Sequence, residues 1–386
     1  MTKYTTVFTN LLRYFSRSDF ENAVKGLKGN FKVRTLTCFE LFKTMLFGQI
    51  AGCFSVREIE TSLKANQNRL YHSGLKVVKR STFCDALEKR SEGIFKRMFH
   101  IMVEKAQEIG SKAHKKFTDP LRIIDASIIS LCLNKFDWAK YRKAKGGIKL
   151  HLNFDGDNRI PYNASLTVGS IHDVKQLVNL SKEPGVIYVL DRGYVDYKLL
   201  YYIELGSSIF VTRMKSNGKY KTVRYNAHKK NGPVLSDVVI RLSGTQIKKH
   251  YPKELRKVKY YDEVTNKTYE FLTNDMTRDA EEIAAIYKER WEIELFFKWM
   301  KQHLRIKSFW GTSENAVYSQ IWVALILSIL LWINKTLDGI KQSVYQLLIM
   351  MKSTLLTKNT LLEICSNTEP KPSDDLWQPF LESFKC

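Results

Sequence analysis

The chain has 386 residues, room for roughly two or three domains, and 62 Lys and Arg residues against 39 Asp and Glu residues give it a formal net charge of +23. Hydrophobic residues make up 44% of the chain and aromatic residues 12%, which excludes a disordered basic tail. A folded protein with this excess of positive charge argues against an acidic small-molecule enzyme and makes nucleic acid the first partner to consider.

The first part of the chain, to about residue 115, is predicted to be helical. Amphipathic stretches recur at Tyr4–Phe15, Phe39–Ile50, Val56–Asn66 and Thr82–Ala106. Gly52 to Ser55 form a turn between two of them, and Ser55 and Glu58 have the spacing of a capping box, so a helix is expected to begin after Ser55. This pattern fits a helix-turn-helix DNA reader and fits equally well two packed helices joined by an ordinary turn.

A mixed α/β unit is predicted after residue 118. Its expected strands, with one short helix at Asp173–Leu180, are Arg122–Cys132, Gly147–Phe154, Ile160–Val168 and the continuous apolar run Val186–Leu190. Residues 208–274 alternate β-branched and aromatic residues with turns, which predicts a strand-rich section. From Arg278 to Ile306 the pattern becomes helical, and helices are expected to continue to the C-terminus.

The apolar run Ile321–Ile333 is 13 residues long, short of the ~20 that span a bilayer, and is interpreted as a buried core helix. No signal peptide is expected in the N-terminal residues. The six cysteines show no CxxC spacing, which favours buried free thiols in a reducing cytoplasm; a zinc site or a disulfide framework is the less favoured alternative.

One acidic residue in the helix Ile283–Leu304 lies among cations and aromatic residues. At about 100° per residue, Tyr287, Arg290 and Lys301 fall within about 40° of Glu294, and Trp291, Lys298 and Arg305 within about 60°. An apolar stripe beside this face should point to the core; it consists of Ile286, Ile293, Phe297, Met300 and Leu304. A solvated face with i,i+4 ion pairs would explain the charges but not the aromatic residues among them.

Two further acids follow or interrupt apolar strands. Asp125 lies within RIIDASIIS, and Asp191 ends VIYVL and precedes a turn. Each alone is typical of a turn or cap residue, so their interest depends on a third acid.

Together, these residues resemble the motifs of a known protein family. Tyr287-x2-Arg290-x3-Glu294-x6-Lys301 is similar to the YREK signature of the IS4-family DDE transposases. Asp125 resembles the family's first acid, and Asp191-Arg192-Gly193-Tyr194 resembles its second-acid motif. The long interval between Asp191 and Glu294 is similar to the β-rich insertion of such transposases, and the segments SVREIE and RSTFCDALEKR resemble the helical N-terminal region of one branch. The resemblance covers nearly the whole chain.

The family implies an α/β catalytic core of RNase H-like type, a mixed sheet flanked by helices, with a β-rich insertion, an all-α N-terminal domain and a helical C-terminal region. The expected boundaries are 1–115 for a helical DNA-binding domain, 116–335 for the catalytic domain with its insertion at about 208–275, and 336–386 for the C-terminal region.

The resemblance also implies that Asp125, Asp191 and Glu294 are the catalytic residues and the ligands of two Mg²⁺ or Mn²⁺ ions. Carboxylates are hard ligands that suit these ions, and acids this close together repel one another without a cation. Two ions ~3.5–4 Å apart can activate the attacking oxygen and stabilise the leaving oxygen. No side-chain nucleophile is required.

DNA contacts are expected from Tyr287, Arg290, Lys298, Lys301 and Arg305, since Arg grips phosphate bidentately and Lys acts as a point charge. In some relatives the donor ends form hairpins and an aromatic side chain holds an extruded base. Trp291 and Trp310 are candidates for that role, although packing is the favoured interpretation of both.

The expected function is cut-and-paste transposition of the element that encodes the chain, in the bacterial cytoplasm at the nucleoid. The expected partner is double-stranded DNA, as terminal inverted repeats and as target, bound by a homodimer, without a membrane or a small-molecule substrate.

Two alternatives stay open, and a third class of DNA-breaking enzyme is argued against. An RNase H-like nuclease would share the acids but would not join strands, and an inactive relative would only bind DNA. A tyrosine recombinase would need a His-x-x-Arg element, and none of the eight histidines is followed by Arg at that spacing.

Overall fold

The computed structural model describes residues 5–111, 116–142, 145–171, 173–229, 232–366 and 376–377. Part of the expected C-terminal region, residues 367–375 and 378–386, lies outside the described residues, as does Tyr4. The division of function among 1–115, 116–335 and 336–386 stays a prediction.

Ten strands in the described residues form one mixed sheet. They are β1 (Leu121–Leu131), β2 (Lys140–Arg142), β3 (Lys145–Asp155), β4 (Ile160–Val168), β5 (Ile187–Leu190), β6 (Ile209–Arg213), β7 (Tyr220–Tyr225), β8 (Val234–Leu242), β9 (Leu255–Asp262) and β10 (Lys267–Thr273). The strand order is β2-β3-β1-β5-β6-β10-β9-β8-β7, with β4 paired to β3. β1, β5 and β6 are parallel neighbours, and the succession β4-β3-β1-β5-β6 is the RNase H-like arrangement.

The expected β-rich insertion is confirmed, and its strands extend the same sheet. β10 pairs antiparallel with β6, and β9, β8 and β7 follow as antiparallel neighbours. A buried ion pair holds this part together: Arg256 donates to both carboxylate oxygens of Asp237, at 2.9 and 2.7 Å.

Fourteen α-helices lie in the described residues. They are α1 (Val7–Leu11), α2 (Arg17–Gly26), α3 (Cys38–Ala51), α4 (Val56–Ala65), α5 (Arg80–Lys89), α6 (Gly93–Gly110), α7 (Val174–Leu180), α8 (Tyr197–Leu205), α9 (Thr245–His250), α10 (Ala280–Lys288), α11 (Trp291–His303), α12 (Glu314–Leu337), α13 (Val344–Thr354) and α14 (Leu361–Ser366). As expected, α4 starts after Ser55, whose hydroxyl accepts from the Glu58 N–H.

Two expected helices are each divided. Thr82–Ala106 becomes α5 and α6, because Arg90 adopts extended backbone. Arg278–Ile306 becomes α10 and α11: the N–H groups of Glu289 and Arg290 donate to the carbonyls of Ile286 and Tyr287, i→i+3 bonds that tighten and end α10. The helical angles from Glu294 back to Tyr287 and Arg290 therefore do not hold across this break.

The apolar stripe of the same segment is confirmed, since each of its five residues is buried. The run Ile321–Ile333 is also buried, within α12, which packs against α3, α5 and α6. α12 is the one helix of the described ranges with the length and composition to cross a membrane, and 94% of its apolar window is covered by protein. The five cysteines in those ranges are free thiols.

The chain divides into two compact units. The helical unit comprises Met1–Lys112, Ile129–Ile148 and Leu295–Cys386, and the sheet unit comprises Ala113–Ile128 and Lys149–Glu294. Asp125, Asp191, Tyr287, Arg290 and Glu294 all belong to the sheet unit.

Candidate active site

Asp125 and Asp191 lie side by side at one edge of the parallel strands. β1 and β5 pair in register up to Ile124 and Leu190, and each acid is the next residue of its strand. The Ala126 N–H donates to Oδ1 of Asp125 at 2.7 Å and orients this carboxylate. Because the preceding strand residues are buried, the backbone holds both acids in place.

Asp191 opens a turn and holds it with its own side chain. Its carboxylate accepts from the Gly193 N–H at 3.3 Å, and Nη2 of Arg213 lies 3.3 Å from Oδ1. Arg213 ends β6, which pairs with β5 in register up to Leu190 and Thr212, so the next residues are Asp191 and Arg213. The sheet register itself places this cation beside the acid.

Arg290 joins the third acid to the first. Its Nη2 lies 2.6 Å from Oε1 of Glu294, and its Nη1 lies 3.4 Å from Oδ2 of Asp125. Because Arg290 sits in the break between α10 and α11, its guanidinium reaches both carboxylates. Arg290 therefore supplies a positive charge shared by Asp125 and Glu294.

The pKa values of the two aspartates are shifted in opposite directions. Burial, with smaller contributions from Asp191 and Glu294, raises the pKa of Asp125 to about 6 against the opposing effects of the Ala126 N–H and Arg290. Burial also acts on Asp191, but the N–H groups of Gly193 and Arg192 and the two arginines prevail and lower its pKa. Nearby N–H donors and arginines therefore compensate the negative charge of Asp125 less well than that of Asp191.

Tyr287 lies between the two arginines. Its buried ring packs on Phe271 at 4.9 Å between centroids, and the guanidinium carbons of Arg290 and Arg213 lie 5.8 and 5.9 Å from its centroid. The ring is thus within cation–π distance of both guanidiniums.

The remaining expected DNA-contacting residues belong to the helical unit. Arg305 donates from Nε to the Gly52 carbonyl at 2.9 Å, and its guanidinium stacks over the exposed Phe54 ring at 3.7 Å. Lys298 and Lys301 lie on α11, and burial lowers the pKa of Lys301. In this structure Arg305 braces the turn between α3 and α4.

The two tryptophans differ. Trp310 is 5% exposed and its Nε1 donates to the Cys53 carbonyl, which is a packing role, whereas Trp291 is 58% exposed.

A cavity of about 680 Å³ in the helical unit opens between the starts of α4 and α5. The exposed arginines Arg57 and Arg80 line it together with Ser55, Ser81 and the Trp310 ring.

The carboxylates fit divalent ions by their chemistry, although no three His, Cys, Asp or Glu side chains of the described residues form a ready-made metal cluster. The three side chains offer hard carboxylate oxygens. Burial, with smaller contributions from the repulsion of Asp191 and Glu294, destabilises the Asp125 anion. A divalent ion would relieve that repulsion, in place of the Arg290 guanidinium.

Arg213 was missed by the sequence reasoning. The available signal was that the apolar run SIFVTR ends in Arg213, just as the apolar run VIYVLD ends in Asp191. Both runs thus place a charged residue at the end of a buried strand. Only the strand order makes the two runs neighbours.

Comparison with known proteins identifies the chain. A family model described as a transposase DDE domain matches residues 116–330, and a domain of unknown function, DUF4372, matches residues 3–76. The transposase y4zB of Sinorhizobium fredii is 35% identical over 265 residues, 66% of this chain and 71% of the relative.

Two further relatives cover most of the chain. The transposase for insertion sequence element IS5377 of Geobacillus stearothermophilus is 27% identical, over 86% of this chain and 85% of its own length. The transposase for element IS4SA of Synechocystis is 28% identical, over 81% of this chain and 88% of its own length.

Among solved structures, the piggyBac transposase synaptic complex with hairpin DNA is similar at a TM-score of 0.47 and 13% identity, covering 94% of this chain and 80% of that one. DDE transposases are metal-dependent enzymes that cleave DNA and transfer strands. The match of the transposase DDE domain to more than half of this chain, beside relatives that are insertion-sequence transposases, shows that the chain belongs to the DDE transposases.

Proposed function

We propose that Asp125, Asp191 and Glu294 are the catalytic acids and hold two Mg²⁺ or Mn²⁺ ions when this transposase cuts the ends of its element and joins them to target DNA. The observation that carries the assignment is the Arg290 guanidinium, which is held between Asp125 and Glu294 beside Asp191. An acid from a strand and an acid from a helix share this cation, and Asp191, at a strand end, pairs with Arg213.

Bound divalent ions would supply activation of the attacking oxygen and stabilisation of the leaving oxygen. The chain's own residues bind and orient the phosphate. If the three acids bound divalent ions, the guanidiniums of Arg290 and Arg213 would be free to pair with phosphate oxygens, to which their forked geometry is suited. Tyr287 keeps both guanidiniums beside the acids.

The helical unit is proposed to bind the terminal inverted repeats, with Arg57 and Arg80 at the cavity contacting phosphates. Residues 1–115 would recognise the element end, and Lys298, Lys301 and Arg305 would make further contacts to DNA phosphates. A homodimer would hold both ends and the target, at the nucleoid in the cytoplasm.

The test incubates the protein with Mg²⁺, labelled element-end DNA and a target plasmid. Asp125→Asn, Asp191→Asn and Glu294→Gln should each abolish nicking and joining while DNA binding persists. Glu254→Gln, which removes an exposed acid paired with Arg241, is the matched control and should stay active. Nicking by any of the three acid variants would overturn the assignment. Nicking without joining by the wild type would favour the nuclease, and binding alone would favour an inactive relative.

A further inference from the structure

Tyr194 occupies the turn that follows Asp191. Asp191 caps a short 3₁₀ turn, Arg192–Tyr194, and the Tyr194 N–H donates to the Asp191 carbonyl at 2.9 Å. The turn directs the Tyr194 ring back into the core of the sheet unit, where it clusters with Ile124 and Leu190, the residues that precede the two aspartates. The ring is 2% exposed.

The hydroxyl of Tyr194 has no hydrogen-bond partner among the described residues, although it is fully buried. A buried hydroxyl without a partner is unfavourable, and native cores rarely keep one. Burial raises the pKa of this phenol, and the charges that add to the effect are those of Asp125, Asp173 and Asp191. The ring packs with the residues that precede Asp125 and Asp191, and its hydroxyl bonds neither carboxylate directly. A water molecule can join polar groups that do not bond directly.

Tyr188, in the same core cluster, shows what a purely structural tyrosine does here. Its hydroxyl accepts from the Glu183 N–H at 2.9 Å and donates to the Glu183 carbonyl at 3.0 Å. The fold thus satisfies the hydroxyl of Tyr188 completely and leaves the buried hydroxyl of Tyr194 without a partner. For packing alone, phenylalanine would serve at position 194.

We propose that Tyr194 is a positioning residue whose hydroxyl hydrogen-bonds the hydration shell of the divalent ion held by Asp125 and Asp191. This inference rests on the proposed function. Mg²⁺ keeps several of its waters in protein sites, and groups that bond those waters and ligands orient the site and strengthen metal binding. Tyr194 is suited to this because its ring is anchored in the core beside the strand residues that precede both acids, and its hydroxyl is free to bond a water.

The experiment measures Mn²⁺ affinity by calorimetry, and thermal unfolding of the full chain with and without Mn²⁺, for four proteins: wild type, Tyr194→Phe, Tyr188→Phe and Asp191→Asn. Tyr194→Phe should leave the metal-free melting temperature unchanged or higher, since it removes an unpartnered hydroxyl, and should weaken Mn²⁺ binding about tenfold. Tyr188→Phe should lower the metal-free melting temperature and leave Mn²⁺ affinity at the wild-type value.

A Tyr194→Phe protein that binds Mn²⁺ as tightly as the wild type, while Asp191→Asn loses binding, would overturn the role of Tyr194 and leave the metal site standing. If Asp191→Asn binds Mn²⁺ like the wild type, the metal site itself is wrong, and the role of Tyr194 falls with it.

Discussion

Nη2 of Arg290 lies 2.6 Å from Oε1 of Glu294, while the other terminal nitrogen of the same guanidinium lies 3.4 Å from Asp125. Arg290 is mostly buried, so its charge is poorly screened by solvent and acts as the internal counter-ion of the acids. Any cation that binds these carboxylates must compete with it.

Replacement of Arg290 by Gln should therefore have opposite effects in the absence and presence of metal. Without metal the acids lose their counter-charge, and stability should fall by about 1–2 kcal/mol. With Mn²⁺ the competitor is gone, and the metal-induced rise in melting temperature should exceed that of the wild type. Thermal unfolding with and without Mn²⁺ measures both. The control is Arg159→Gln, which removes an ion pair to Glu292 on α11, the helix of Glu294, and should not change the metal-induced rise in melting temperature. Weaker Mn²⁺ binding by Arg290→Gln than by the wild type would contradict the proposed competition between Arg290 and the metal.

The raised pKa of Asp125 predicts a pH dependence of stability in the metal-free protein. The ordinary value is 3.8 and the folded value about 6, so between these pH values the folded state holds a proton that the unfolded state has lost. Stability should fall as pH rises through this window, by up to about 3 kcal/mol from this group. Asp125→Asn should remove that loss and be more stable than the wild type at pH 8. Urea unfolding at pH 4.5 and pH 8 checks this; an equal difference between the two proteins at both pH values would contradict it.

Arg213 should hold down the pKa of Asp191 in the metal-free protein. It helps to lower that pKa, so Arg213→Gln should raise it by about 0.5–1 unit, while the acidic limb of nicking stays governed by Asp125, whose pKa is higher. The measurement is an NMR titration of the side-chain carboxyl groups of the metal-free protein. Arg192→Gln, which changes an exposed arginine next to the same acid, serves as control. An Asp191 titration curve of Arg213→Gln that overlays the wild type would show that solvent screens the Arg213–Asp191 pair.

The cavity arginines should contribute to DNA binding additively and in a salt-dependent way. If each neutralises one phosphate, Arg57→Gln and Arg80→Gln should each reduce the slope of log affinity against log salt by about 0.9. Binding of element-end duplex at several salt concentrations measures this. The matched control is Arg17→Gln, which changes an exposed arginine of α2 paired with Glu21. If Arg57→Gln and Arg80→Gln had the same slope of log affinity against log salt as Arg17→Gln, phosphate contacts at the cavity would be excluded.

The β-rich extension of the sheet should depend on its buried ion pair. Arg256 and Asp237 are both less than 5% exposed, so Arg256→Met would strand a buried carboxylate and cost about 3–5 kcal/mol. Arg241→Met removes an exposed pair with Glu254 and should cost about 0.2–1 kcal/mol. Chemical unfolding measures the free energy of unfolding of both variants. Equally small losses of stability in the two would mean that Asp237 finds another partner when Arg256 is replaced.

Local pattern determined much of this protein from the sequence alone. Period-two and continuous apolar runs predicted the strands that carry Asp125 and Asp191, and the apolar stripe of the Glu294 helix was correct because side-chain periodicity follows directly from backbone geometry. The spacing of Tyr287, Arg290, Glu294 and Lys301 was enough to recognise the family.

Tertiary structure alone decided which charges meet. The break after Lys288 is made by i→i+3 bonds, and Arg290 meets Asp125, which is distant in sequence, so helical arithmetic could not place Arg290. Arg213 reaches Asp191 only because β5 and β6 pair in register. The Tyr194 hydroxyl is buried without a partner by a turn and a core that a linear pattern does not encode. Burial and proximity between distant segments determine the pKa values, and both exist only once the chain has folded.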